Sequence, residues 1–166
     1  MKITQNIPRI LGLDPGLSAT GFGIVINNHC LECGIIRSNS KQMLAERIYH
    51  IVQNLRKKIR QYQPTTCVIE TLFFRKESAR SVIYSAHLRG AIFFLCHQEK
   101  IPVIEVTPAT VKRSLTGNGR ASKQQINYVV KKIFNIKEKI NEHVSDALAI
   151  AYTFQTIKHT KPFIAH

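Results

Sequence analysis

The sequence predicts an α/β fold in which a mixed five-stranded sheet carries helices on both faces. The first third of the chain holds three apolar or β-branched runs separated by turn residues, at Ile10–Asp14, Gly21–Asn27 and Leu31–Ser38. Beyond them, short strand-like runs alternate with longer segments of helical periodicity, so the predicted order is βββαβαβαα. A meander of three strands followed by this alternation implies a mixed sheet with helices packed on it.

Each element after the meander is placed by its periodicity and its terminal residues. Between about Gln42 and Gln61, apolar residues recur at helical spacing, and Pro64 ends that helix. Two short strands are expected at Thr66–Glu70 and Pro102–Val106. The other helices are expected at about Glu77–His97, at Pro108–Leu115, from the capping box of Ser122 and Gln125 onward, and at Glu142–Ile157.

The length of 166 residues suits one domain with its own core, which we expect over residues 1–157. The residues after Lys158 are polar, so 158–166 is expected to be a C-terminal tail. The longest apolar run, Ala91–Cys96, is far shorter than a bilayer span, and Met1–Pro8 lacks an apolar signal-peptide core. We therefore expect a cytoplasmic protein with no membrane partner.

The charge of the chain is strongly unbalanced. It has 24 Lys and Arg residues against 10 Asp and Glu residues, a formal net charge of +14. Such an excess favours a polyanionic partner, because basic side chains release the counterions condensed on it. Nucleic acid is the usual partner of this kind, although charge alone does not distinguish it from a generally basic soluble protein.

Cys30 and Cys33 form a CxxC motif, but no second Cys or His pair follows at zinc-finger spacing. The motif falls in a predicted strand, where residues three apart are expected to point to opposite faces. Reduced, structural thiols are therefore favoured over a zinc site, and a cytosolic location agrees with free thiols.

Acidic residues are scarce, so their positions carry information. The two aspartates are Asp14, which ends the first strand before a Pro-Gly turn, and Asp146, in the first turns of the last helix. Glu70 ends the fourth strand, and His143 shares a helix face with Asp146 at a spacing of three. Taken singly, each acid also has a structural explanation: a turn residue, an ion pair with Arg75, or a helix-dipole contact.

Together these side chains predict a metal site. Oxygen ligands with one imidazole suit Mg²⁺ or Mn²⁺, and two such ions can activate a water and stabilise the leaving oxygen of a phosphodiester. Asp14 would bridge both ions, Glu70 would hold one, and Asp146 with His143 the other. His143 could instead transfer a proton, because its ordinary pKa lies near neutrality.

The residues around these acids resemble the RuvC-type Holliday junction resolvases of bacteria. The resemblance covers nearly the whole chain to about Thr156, in matching order and spacing. The matching segments are Ile10–Gly16, Thr20–Gly23, Val68–Glu70 and His143–Ala151.

This resemblance implies a ribonuclease H-like fold and a homodimer that resolves four-way DNA junctions by symmetrical nicks with Mg²⁺, in recombination and repair. It implies catalytic roles for Asp14, Glu70, His143 and Asp146, although some family members carry Asp at the position of His143. The RuvA–RuvB branch-migration motor is the partner that it implies. The broad apolar stripe of Glu77–His97 is our candidate for the dimer interface.

The resemblance also indicates DNA contacts. The family places an aromatic residue in the loop after the Glu, here Phe73, to stack at the opened junction. Lys112 and Lys123 match basic positions that the family uses on the backbone near the cut. The cations flanking the aromatic loop, which we also expect to contact DNA, are Arg75, Lys76 and Arg80.

Three other functions compete with a junction resolvase. YqgF-like nucleases and ribonuclease H proper also use an Asp at the end of the first strand, but they would not predict the His143–Ala151 motif. An actin-like ATPase or sugar kinase shares the Asp-x-Gly motif, but it needs two such lobes. A non-catalytic basic DNA-binding protein explains the charge and leaves the carboxylates unexplained.

Overall fold

The computed structural model describes residues 7–72 and 79–157 of the chain. Five strands form one sheet: β1 Arg9–Asp14, β2 Ala19–Ile26, β3 His29–Arg37, β4 Thr66–Glu70 and β5 Val103–Val106. Five helices accompany them: α1 Leu44–Tyr62, α2 Ala79–Gln98, α3 Pro108–Thr116, α4 Lys123–Ile133 and α5 Glu142–Ile157. Three helices follow β5, one more than the order βββαβαβαα counts, and the first is the helix predicted at Pro108–Leu115, which is capped by Thr107.

The sheet is mixed, as the sequence predicts. Its strand order is β3-β2-β1-β4-β5, with β1, β2 and β3 antiparallel to their neighbours in the meander. Strand β4 pairs in parallel with both β1 and β5. The parallel pairs are joined through α1 and α2, since a parallel connection needs a crossover. The carboxyl ends of β1 and β4 consequently lie side by side at the centre of the sheet.

Helices cover both faces of the sheet, which confirms the predicted layers. We call the side covered by α1 and α2 the α1 face and the side covered by α3, α4 and α5 the α5 face. Side chains alternate between these faces along each strand. In β1, Leu11 and Leu13 join the core of the α1 face, and Ile10 joins that of the α5 face. In the described part of the chain, no helix is both long and apolar enough to span a bilayer.

Helix α5 lies unusually close to the sheet because two glycines leave room for its backbone. A Cβ atom at Gly12 of β1 would come within 2.1 Å of the carbonyl oxygen of Ala147. A Cβ at Gly21 of β2 would come within 2.0 Å of the carbonyl oxygen of His143. Since real Cβ atoms do not approach backbone so closely, any larger residue here would displace the helix.

The prediction that Cys30 and Cys33 point to opposite faces is wrong. The pairing of β2 with β3 shifts between Ile24 and Val25, which leaves one extra residue in β3 between Cys30 and Glu32. Both cysteines therefore pack against the core of the α5 face. All four cysteines of the chain are free thiols.

Candidate active site

Strand register brings two of the candidate acids together. In the parallel pair of β1 and β4, Leu13 lies opposite Ile69, and the next residue of each strand is a carboxylate, Asp14 and Glu70. Both acids follow the alternation that points them toward the α5 face. Neighbouring strands are about 4.8 Å apart, so two carboxylates at this register lie within reach of one cation or of a pair.

Helix α5 supplies the other two candidates. His143 and Asp146 lie in its first turns, and the close approach at Gly21 places that end of the helix over the end of β1. His143 Nδ1 lies 2.6 Å from Asp14 Oδ2, so the imidazole and the carboxylate are hydrogen-bonded. This contact joins residues 129 positions apart in the chain.

The four side chains surround one cavity of about 460 Å³. Its wall combines a carboxylate cluster with two lysines and an apolar floor. The lining residues are Asp14, Glu70, Pro108, Val111, Lys112, Lys123, Ile126, Glu142, His143, Asp146 and Ile150. The structure therefore brings together every candidate metal ligand and two of the predicted DNA-contacting lysines, Lys112 and Lys123.

The crowding of carboxylates makes their ionised forms costly. Burial raises the pKa of Glu70 from 4.5 to about 7, and the charges of Asp14 and Asp146 add to the rise. Burial likewise raises the pKa of Asp146 from 3.8 to about 6, with a further contribution from Asp14. The charge of Lys112 opposes the first shift and that of Lys123 the second. A divalent cation would relieve both repulsions.

The donor set suits a hard divalent cation, but the side chains do not converge on a single point that an ion could occupy. Within residues 7–72 and 79–157, no three His, Cys, Asp or Glu side chains lie close enough to hold a metal ion as they stand. Asp14 is engaged by His143 instead. Glu70 and Asp146 nevertheless line the same cavity as Asp14, and together they offer the oxygen ligands that a hard divalent cation prefers.

The Glu70→Gln variant is expected to be more stable than the wild type at pH 8 without divalent cations. An acid whose folded pKa is raised destabilises the fold once it ionises, so the cost is absent below pH 4.5 and complete above pH 7. After allowance for solvent screening, removing it should contribute about 1–2 kcal/mol, a rise in Tm of roughly 3–6 °C.

Thermal melts of both proteins at pH 4 and pH 8, with and without MgCl₂, test this expectation. The Tm advantage of the variant should vanish at pH 4, and MgCl₂ should raise the Tm of the wild type more than that of the variant. Equal melts at pH 8 in metal-free buffer would show that Glu70 carries no electrostatic cost.

Two predicted DNA contacts lie in this wall, and the others lie outside what the structure describes. Lys112 on α3 is half-buried, and Lys123, at the start of α4, is exposed and ion-paired with Glu142. The predicted contacts Phe73, Arg75 and Lys76 fall outside the described residues, and the side chain of Arg80 is not described either.

Two further residues near the cavity are not predicted from the sequence. Glu142 lines the wall and pairs with Lys123, a contact that its place at the start of a helix would not distinguish from a favourable dipole interaction. Arg89 of α2 donates a hydrogen bond to the backbone carbonyl of Glu70 and pairs with Glu105. No local pattern marks Arg89, since it lies on the opposite face of the sheet.

The sheet order and the acids at the ends of β1 and β4 place the chain among the metal-dependent nucleases of ribonuclease H-like fold. A family model described as Crossover junction endodeoxyribonuclease RuvC matches residues 10–154. The chain therefore belongs to the RuvC family of crossover junction endodeoxyribonucleases.

Individual relatives agree with this assignment. A RuvC from Treponema pallidum is 36% identical over 90% of this chain and 79% of its own length. One from Caldicellulosiruptor saccharolyticus is 38% identical over 86% of this chain and 89% of its own. The structure of Thermus thermophilus RuvC in complex with Holliday junction substrate matches with a TM-score of 0.81 and 26% identity, covering 94% of this chain and 99% of that one.

Proposed function

We propose that this chain resolves four-way DNA junctions by paired, symmetrical, metal-dependent nicks, as a step in recombination and DNA repair. Membership of the RuvC family supports the reaction and the substrate. The single observation that carries the proposal is the meeting of Asp14, Glu70, His143 and Asp146 around one cavity in a chain of net charge +14. A structural role for each acid alone does not explain why they meet.

We propose the metal ligands from the residues that line the cavity. Asp14, whose charge acts on both other acids, would bridge two Mg²⁺ ions, Glu70 would hold one, and Asp146 with His143 the other; Mn²⁺ is expected to substitute. The ions would supply Lewis-acid stabilisation of a phosphodiester and a nucleophilic water at neutral pH.

The chain's own cations have a separate task. Lys112 and Lys123 project into the same wall, where their charges already act on Glu70 and Asp146. A phosphate brought to the cavity would find both cations within reach and would be oriented by them. Because Lys123 pairs with Glu142, phosphate binding would exchange one anionic partner for another.

Paired nicks on two strands need two sites, and we propose that a homodimer supplies them. The outer surface of α2 supports this arrangement. Ile83, Phe93 and Phe94 of that helix are 53%, 38% and 63% exposed. Three large apolar side chains exposed on one helix are typical of a surface that a partner covers. The predicted interface helix, Glu77–His97, corresponds to α2.

The remaining assignments are proposals that follow from family membership. Phe73 would stack on a base at the opened junction, a contact that contributes about 1–3 kcal/mol, with Arg75, Lys76 and Arg80 on nearby phosphates. RuvA–RuvB would deliver the junction. Residues 1–157 would form the nuclease domain, with 158–166 as its tail, in the cytoplasm.

A direct test compares three substrates under identical conditions: a four-way junction, an RNA–DNA hybrid and a plain duplex of the same sequence. Junction cleavage with MgCl₂, by symmetrical nicks that a ligase can reseal, is expected, with little cleavage of the other two. Preferential cleavage of the hybrid would instead identify a ribonuclease H activity.

The His143→Asp variant should keep partial cleavage activity. A carboxylate can also bind a divalent cation, although it would face Asp14, whose Oδ2 lies 2.6 Å from the ring nitrogen that it replaces. We expect cleavage at saturating MgCl₂ within about tenfold of the wild type, and a lower Tm in metal-free buffer. A loss of roughly 1000-fold with an intact fold would show that His143 transfers a proton.

A further inference from the structure

Arg89 is a buried charge that the proposed reaction does not use. It projects from α2, on the α1 face, and is 7% exposed. Its Nη1 donates a 2.5 Å hydrogen bond to the carbonyl oxygen of Glu70, and its Nη2 pairs with the carboxylate of Glu105. The ring of Phe93, one turn further along α2, lies 5.6 Å from the guanidinium carbon. The side chain is thus held at three points.

The carbonyl of Glu70 lies where the ladder between β1 and β4 stops. That pairing ends at Leu13 opposite Ile69, and Pro15, just beyond Asp14, has no N–H with which to extend it. On its other side, β4 stays paired with β5 as far as Glu70 opposite Val106, and the N–H of Thr71 donates a 2.8 Å hydrogen bond to the carbonyl of Val106. The hydrogen bond from Arg89 thus restrains the end of β4 where the ladder to β1 no longer does.

The second partner of Arg89 extends the restraint to β5. Glu105 lies opposite Ile69 in the pairing of β4 with β5. Two residues later, Thr107 caps α3 by accepting a hydrogen bond from the backbone N–H of Thr110. Helix α3 carries Lys112 into the cavity wall. Arg89 therefore restrains both the end of β4, which carries Glu70, and the end of β5, which leads to α3.

We propose that Arg89 is a positioning residue that holds Glu70 in place for divalent-cation binding. Burying a guanidinium is costly, and a carboxylate together with a backbone carbonyl offsets that cost. The inference rests on the proposed function, since it assumes that Glu70 is a metal ligand. Groups that orient a ligand in this way commonly change metal affinity by about 10–100-fold when removed.

The test measures metal binding without reference to cleavage. Tm is recorded against MgCl₂ concentration for the full-length wild type, Arg89→Gln, Arg89→Lys and Arg56→Gln. Arg56 is the matched control, because it joins α1 to the end of α2 through Gln98 and Glu99 and does not line the cavity. The MgCl₂ concentration that gives one fixed rise in Tm scales with the dissociation constant, and it should increase about tenfold or more in Arg89→Gln.

The MgCl₂ concentration that Arg89→Lys needs should lie between those of Arg89→Gln and the wild type. The reason is that an ammonium group keeps the charge but cannot form both contacts in fixed geometry. Arg56→Gln should need the same MgCl₂ concentration as the wild type for that rise in Tm. Cleavage by Arg89→Gln should recover substantially at high MgCl₂. If Arg89→Gln does not fold, Arg89→Lys carries the test, and the MgCl₂ concentration that it needs for the same rise in Tm should be at least about threefold higher than for the wild type.

If Arg89 were purely structural, its variants would have a lower Tm at every MgCl₂ concentration, but the MgCl₂ concentration that gives the fixed rise in Tm would be unchanged, which would overturn the inference. Failure of the proposed function looks different. In that case MgCl₂ would raise the Tm of none of three proteins: the wild type, Arg56→Gln and Glu70→Gln.

Discussion

Asp14→Asn should abolish junction cleavage while leaving junction binding intact. Asp14 is the shared neighbour in the cavity: it bonds His143, and its charge raises the pKa of both Glu70 and Asp146. An amide of the same shape cannot bridge two cations. Because metal ions supply several kcal/mol of transition-state stabilisation, we expect cleavage to fall by at least about 1000-fold. Cleavage assays and junction gel-shift titrations measure the two effects separately.

Glu142→Gln is the matched control for this variant. Its carboxylate lines the same cavity but is 54% exposed and paired with Lys123. An exposed ion pair contributes at most about 1 kcal/mol, so cleavage should stay within roughly fivefold of the wild type. If Asp14→Asn cleaved the junction at the wild-type rate, the site would have been assigned to the wrong residues. An equal loss in both variants would show that cavity charge in general, and not a bridging carboxylate, is required.

Gly21→Ala should nearly eliminate cleavage without removing any candidate ligand. The new Cβ would lie 2.0 Å from the carbonyl oxygen of His143 and 2.5 Å from its carbonyl carbon, so the first turns of α5 must move away from β2. Those turns carry His143 and Asp146. A displacement near 1 Å at a reacting site costs about 100-fold in rate, and the overpacking should also destabilise the fold by roughly 1–3 kcal/mol.

Gly23→Ala provides the comparison, two residues along the same strand. Its Cβ would meet the end of the Leu148 side chain at 2.7 Å, and that side chain can rotate, whereas a helix backbone cannot. We expect a smaller loss of Tm and cleavage within about tenfold of the wild type. Single-turnover cleavage and thermal melts of both variants decide the matter. If Gly21→Ala cleaved the junction at the wild-type rate, the placement of α5 would not be critical for cleavage.

Much of the fold was predictable because its signals are local. Apolar or β-branched runs mark the strands, and helical spacing marks α1 and α4, so the layers follow from short windows of sequence. The same rules reveal that Asp14 and Glu70 each end a strand and that His143 and Asp146 share a helix face. The failure at Cys30 and Cys33 has a physical cause as well. The extra residue in β3 is a property of its pairing with β2, so it cannot be recognised from the sequence of β3 alone.

By itself, the sequence determined the sheet with its helical layers and the residue types of the candidate site, because periodicity and the scarcity of acids can be read along one chain. Only the tertiary structure decided that these acids share a cavity, that His143 bonds Asp14, and that Arg89 holds Glu70 from the far face of the sheet. Contacts of this kind join residues up to 129 positions apart. They depend on strand register and on how closely α5 approaches its glycines, and packing of the whole domain sets both.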